Sequence, residues 1–178
     1  MLKQYFTDIL KKGMTSSRTS LAPQSFDYVL RLLMKHASES PICVGAGMPV
    51  LAFSYDRALA LPESMRPYAF RELGDVALFI AGFFVGYVEL TGGLTYYIDM
   101  GGNAYQYAGD MLCNPVMHEL SSKFKPIVGA LNDSMLLTDI GQRQTIERLY
   151  DIHSIHGSSS AAVALIRSGY VPIINKID

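Results

Sequence analysis

The sequence predicts an all-α fold: a compact single-domain bundle of six to seven helices around one buried central helix at residues 68–88. Three observations carry that prediction. Apolar residues recur at three- and four-residue spacing along most of the chain, glycine, proline and Asn-Pro mark where those stretches begin and end, and no segment alternates with the two-residue period of a strand. The central helix is read from the run Val76 to Val88, which is closed by Asp75 on one side and Glu89 on the other. A bilayer crossing takes about 20 apolar residues. This run is shorter, so it is predicted to form the middle of a soluble core, with no transmembrane segment.

The other elements follow in order. Leu2, Tyr5, Phe6, Ile9 and Leu10 share a helical stripe that should stop at Gly13, with a Ser/Thr-rich connector from Met14 to Ala22. From Gln24 to about Ala37, Phe26, Val29, Leu30 and Leu33 define a buried face, while Asp27, Arg31 and Lys35 point elsewhere. After a break at residues 38–47, Pro49 suits the first turn of a helix ending near Ala60. Pro62 and Pro67 lead into the central helix, in which Gly82 and Gly86 stand one turn apart and read as a place where a neighbouring helix comes close. A turn at Thr91-Gly92-Gly93 precedes a segment with Tyr97, Met100, Ala104 and Ala108 on one face. Its Gly101-Gly102 pair costs about 1 kcal/mol per residue relative to alanine, so it calls for close packing or, less readily, a ligand.

Asn114-Pro115 reads as a cap and first helical residue. The stripe Val116, Leu120, Phe124, Ile127 and Leu131 continues to about Leu137, with a bend expected at Pro126. Asp139 and Gln142 form a capping pair for a helix ending near Gly157, Ser158 caps a last one over Ala161 to Arg167, and the tail from Tyr170 is extended. The division is residues 1–24 as helix and connector, 25–169 as bundle and 170–178 as tail, within one domain over 1–178.

Charged residues are 17% of the 178 and apolar ones 49%, against a usual charged share of about 25%. Too few ionic side chains remain to coat a lone monomer, so a covered surface is expected, first of all by a second copy in a two-fold dimer. Fifteen basic and sixteen acidic residues leave a formal charge of −1 without a basic stripe, which argues against nucleic acid. Lys3, Lys11, Lys12, Arg143, Arg148 and Arg167 read as solvated helix faces. Cys43 and Cys113 lie far apart, as buried free thiols suited to a cytoplasmic setting, and the charged opening residues do not make a signal peptide.

Taken in order, the segments Phe-Asp-Tyr-Val-Leu-Arg-Leu-Leu (26–33), Arg-Glu-Leu-Gly-Asp-Val-Ala-Leu-Phe-Ile-Ala-Gly-Phe-Phe (71–84), Tyr-Tyr-Ile-Asp-Met-Gly-Gly-Asn-Ala-Tyr (96–105), Phe-Lys-Pro-Ile-Val (124–128) and Ile-Glu-Arg-Leu-Tyr (146–150) resemble an uncharacterised family of small all-helical bacterial proteins. The resemblance covers nearly the whole chain, and 71–84 and 96–105 are its specific part. It implies a helical fold and a bacterial cytoplasmic setting, and brings no reaction and no site residues.

The strongest chemical cluster that the sequence offers joins Glu72 and Asp75, three apart on one helix, with Tyr96, Tyr97, Asp99 and His118. Carboxylates beside apolar and tyrosyl side chains can serve as a general acid or base. The simpler reading makes Asp75 a structural lock that accepts hydrogen bonds from Tyr96 or Tyr97, or pairs with Arg71. His153 and His156 could grip a metal with Glu147 or Asp151, yet they equally suit the end of a helix. Gly45-Ala46-Gly47 and Cys43 lack the surroundings of a phosphate loop or a nucleophile. No cofactor is expected. The leading functional reading is a non-catalytic binding or oligomeric adaptor protein, using the Tyr-rich segment 96–107 and the tail 170–174 as its surface. The alternatives are a small-molecule or metal-dependent enzyme using Glu72, Asp75, Tyr96 and Asp99, and a protein with an internal pocket for an apolar ligand.

Overall fold

A computed structural model of the chain describes residues 2–39, 51–85, 88, 93–136 and 150. Among these, seven helices follow one another: α1 (Leu2–Ser16), α2 (Pro23–Glu39), α3 (Leu51–Ala60), α4 (Arg66–Phe83), α5 (Leu94–Leu112), α6 (Pro115–Ser122) and α7 (Phe124–Leu136). The fold is all-α, as the periodicity predicts. The chain divides into two compact units, Met1–Ser134 and Met135–Asp178. The first holds nearly all that is described; of the second, only Met135, Leu136 and Tyr150 are described. The expectations placed on Cys43, Gly45 to Gly47, Pro49, Gly86, the capping pair at Asp139, the His153 and His156 pair and the tail fall outside the described residues.

Helix α4 is the central helix. Phe70, Leu73, Gly74, Ala77, Leu78, Phe79, Ile80, Ala81 and Gly82 are all buried, so the helix is covered on almost every side over its second half. Its main partner is α5, and α2 and α3 also pack on it. Its end differs from the single rod predicted over 68–88. Phe84 leaves helical geometry at φ −122° and ψ 46°, and beyond it Val85 and Val88 are again helical, the Val88 amide donating to the Phe84 carbonyl. Apolar continuity gave no sign of this break, because its partner is remote: the Asn132 side-chain amide of α7, with its nitrogen facing α4, donates to the carbonyls of Gly82 at 2.6 Å and Ala81 at 3.1 Å. Those are carbonyls that a continuing helix would use four residues further on.

Two other boundaries also moved. Helix α1 runs through Gly13 to Ser16 rather than stopping there, and its turn is closed by Arg18 in the left-handed region at φ 51°. Gly13 is a contact position. A Cβ at this point would collide with the Ala130 carbonyl of α7, and the Ser134 hydroxyl donates to the Ile9 carbonyl at 2.7 Å beside it. The apolar stripe from Val116 onward is split at Lys123, whose amide turns back to the carbonyls of Glu119 and Ser121, and Val116 itself is only half-buried. Pro126 therefore sits in the first turn of α7, where its missing donor leaves nothing unpaired, and it does not bend a longer helix. The Asn114 cap is as predicted, its side-chain oxygen accepting from the Val116 amide at 3.0 Å.

Candidate functional site

Helix α3 and the start of α4 form a hairpin joined by the short turn Leu61 to Met65, in which the amides of Met65 and Arg66 both reach the Pro62 carbonyl. Leu51 and Ala58 anchor α3 to the core, and Tyr55 meets Phe70 edge-on with ring centroids 5.2 Å apart. An open groove of about 360 Å³ runs between the two helices. Ser54, Arg57, Ala58 and Leu61 form one wall and Ala69, Glu72, Leu73 and Val76 the other. Around it the surface is apolar in an unusual way. Seven large hydrophobic side chains stand exposed among the described residues, and five of them, Phe53, Leu59, Leu61, Met65 and Tyr68, fall in this hairpin. Phe53 is the extreme case at 69% exposure. Phe53 lies one helical turn before Arg57, and Met65 four residues before Ala69.

The sequence-level cluster does not assemble as one site. Glu72 turns toward α3 and lines the groove. Asp75 instead faces α2 and α5, where its Oδ1 accepts from the Tyr28 hydroxyl and the Tyr105 hydroxyl, each at 2.7 Å. The lock therefore exists with different tyrosines: Tyr96 and Tyr97 stack edge-on against each other, and Tyr97 is buried. Asp99 is exposed. His118 belongs to another locality, packed on Gly109 with its ring nitrogens 3.7 Å from Asp110 and 3.5 Å from Gln106. In the Tyr-rich segment Tyr97 and Tyr105 are buried, while Tyr96 and Tyr107 are half-buried and Tyr107 rests against Phe70. Cys113, expected as a buried thiol, is exposed, in the left-handed position that ends α5.

Desolvation pushes the Asp75 carboxyl up to about 6, against the opposing pull of the Tyr105 and Tyr28 hydroxyls and of Arg71 and Lys35. Burial also raises both tyrosines, and the adjacent carboxylate adds to it. Both phenols therefore stay neutral donors, and the three groups tie α2, α4 and α5 together. No group of three or more metal-ligating side chains occurs among the described residues.

A second acid had no sequence signal at all. Glu119 on α6 receives the Ala22 amide, the Ser25 hydroxyl and the Lys123 ammonium, while Lys123 also donates to the Ser20 carbonyl. It thus caps the start of α2 from another helix, where a carboxylate suits the positive end of the dipole. Only the fold brings residue 119 to residue 22, so no local motif could have found it.

Fold and surface define a helical bundle with an exposed apolar hairpin. No helix among the described residues is long and apolar enough to cross a membrane. The chain matches no known protein family, no curated protein and no solved structure.

Proposed function

We propose that the protein works by binding, as a non-catalytic homo-oligomer whose α3–α4 hairpin docks on a second copy, a dimer in its simplest form. The concentration of exposed apolar side chains between Phe53 and Tyr68 carries this reading. Burying a side chain such as Phe53 is worth about 1.5–3 kcal/mol, and contiguous apolar patches on a surface mark interaction sites. The face carries both signs of charge, Asp56, Arg57, Glu63, Arg66 and Glu72, and so suits self-association better than a strongly charged partner. The low share of charged residues points the same way. A cytoplasmic setting is part of the proposal, and the exposed free thiol of Cys113 fits it. Catalysis by Glu72, Asp75, Tyr96 and Asp99 has less support, since Glu72 and Asp75 face different neighbours.

Light scattering coupled to size-exclusion chromatography tests the proposal. The wild-type chain is expected to run as a dimer and Phe53→Asp as a folded monomer; a wild type still monomeric at about 100 μM overturns it.

A further inference from the structure

We infer that the two copies are held in register by reciprocal ion pairs across the α3–α4 groove, Arg57 of each protomer meeting the partner's Glu72, with each Phe53 seated over the opposite groove. This deepens the self-association proposed above and rests on it.

Each wall of the groove carries one charged side chain. Arg57 stands on the α3 wall with Ala58 and Leu61, and Glu72 on the α4 wall with Ala69 and Leu73. Opposite charges therefore stand on the two walls of one groove. They do not neutralise each other: neither Arg57 nor Glu72 makes a hydrogen bond or ion pair with any described residue. Neighbouring cations are engaged, with Arg66 donating to the Leu61 carbonyl at 2.9 Å and Arg71 lying 5.6 Å over the Tyr68 ring. Asp56 and Glu63 are exposed but do not line the groove.

A two-fold axis makes that pattern self-complementary. Where residue i of one copy meets residue j of the other, j must also meet i, so a single Arg57 to Glu72 contact forces its twin. Two pairs then flank the axis, and the apolar rim of each hairpin covers the partner's groove. A small zwitterion could satisfy the same two charges, but it would leave Phe53, Met65 and Tyr68 in water. The second copy accounts for both observations.

Sedimentation equilibrium on a charge-swap cycle decides the matter, using Arg57→Glu, Glu72→Arg and the double variant in the full chain. Each single change places like charges in both reciprocal contacts, so the dimer dissociation constant is expected to rise about tenfold or more. The double variant restores both pairs with their signs exchanged and is expected to return to within about threefold of wild type. Both positions are exposed, and unchanged far-UV circular dichroism verifies that the fold is kept. A dimeric wild type whose double variant is weakened by the product of the two single effects refutes this register while leaving self-association standing. A monomeric wild type removes self-association, and the register with it.

Discussion

The Tyr105 hydroxyl, wholly buried on α5, donates to Asp75 Oδ1 on α4 at 2.7 Å, and the Tyr28 hydroxyl of α2 reaches the same oxygen. One carboxylate oxygen thus gathers three helices at the level where the central helix enters the core. Its ionisation matters for stability because burial opposes the charged form.

The first expectation is a stability that falls as pH rises through the mildly acidic range. Asp75 has a folded value of about 6 against an ordinary 3.8. Below the lower value both states hold the proton and the folded state is not penalised. Between the two values the unfolded chain ionises while the folded one does not, and above about 6 the full cost is present, at most about 3 kcal/mol. Asp75→Asn keeps an acceptor for both tyrosines without the charge. Urea unfolding between about pH 4 and about pH 7 should therefore show a falling wild-type profile and a flatter one for the variant. Equal slopes would mean that Asp75 is not the group responsible.

The tyrosines pull in the opposite sense, because hydrogen bonds to the ionised carboxylate favour it. Removing either donor, as Tyr28→Phe or Tyr105→Phe, should raise the Asp75 value above its present level of about 6. Carboxyl-carbon NMR titration reads this directly. No movement in Tyr105→Phe would contradict the observed geometry.

How much of this was legible in the sequence depends on the range of the interaction. The stripe Val29, Leu30 and Leu33, the Asn114 cap and the burial of Ala77 to Ala81 rest on local periodicity and local hydrogen bonding, and they were readable. Asp75 was recognisable as a lock because an acid beside an apolar helix needs partners. Its partners were not, since Tyr28 lies 47 positions away and nothing in sequence spacing separates it from Tyr96. The break at Phe84 and the capping role of Glu119 escaped for the same reason: each involves a group from another helix. The α3–α4 face was missed because Phe53, Leu59 and Met65 look like core residues until the packing shows what they fail to touch.

Glu119 supplies a pH effect of opposite sign. Burial alone would raise its pKa, but the Lys123 ammonium, the Ser25 hydroxyl and the Ala22 amide together hold it below the ordinary value. A lowered carboxyl stabilises the fold at neutral pH, and that stability is lost as pH falls through the folded value. Glu119→Gln is expected to cost about 1 kcal/mol near neutrality, where it weakens charge-assisted hydrogen bonds, and to cost progressively less in acid. Thermal melts at the two extremes of pH check this. A deficit that stays constant with pH would assign Glu119 a packing role only.

The adjacent glycines of α5 should respond to alanine in opposite directions. A Cβ at Gly101 would drive into the Phe124 ring and come within 2.9 Å of the Ala77 Cβ, at the place where α4, α5 and α7 meet. Neither the α4 backbone nor a fully packed ring can withdraw without opening the core, so Gly101→Ala is expected to lose about 1–3 kcal/mol, the usual cost of overpacking. At Gly102 the same added carbon meets only Phe124 Cβ and the Ser121 carbonyl, both at 3.8 Å. That is ordinary contact. The Ser121 hydroxyl bonds to the Gly102 carbonyl, which alanine retains. Gly102→Ala should therefore gain roughly 0.5–1 kcal/mol from the reduced freedom of the unfolded chain and better helix propensity. Urea midpoints of the two variants, measured side by side, resolve the difference, and a loss of similar size at both positions would show that Gly102 too is held by something that the helix packing does not explain.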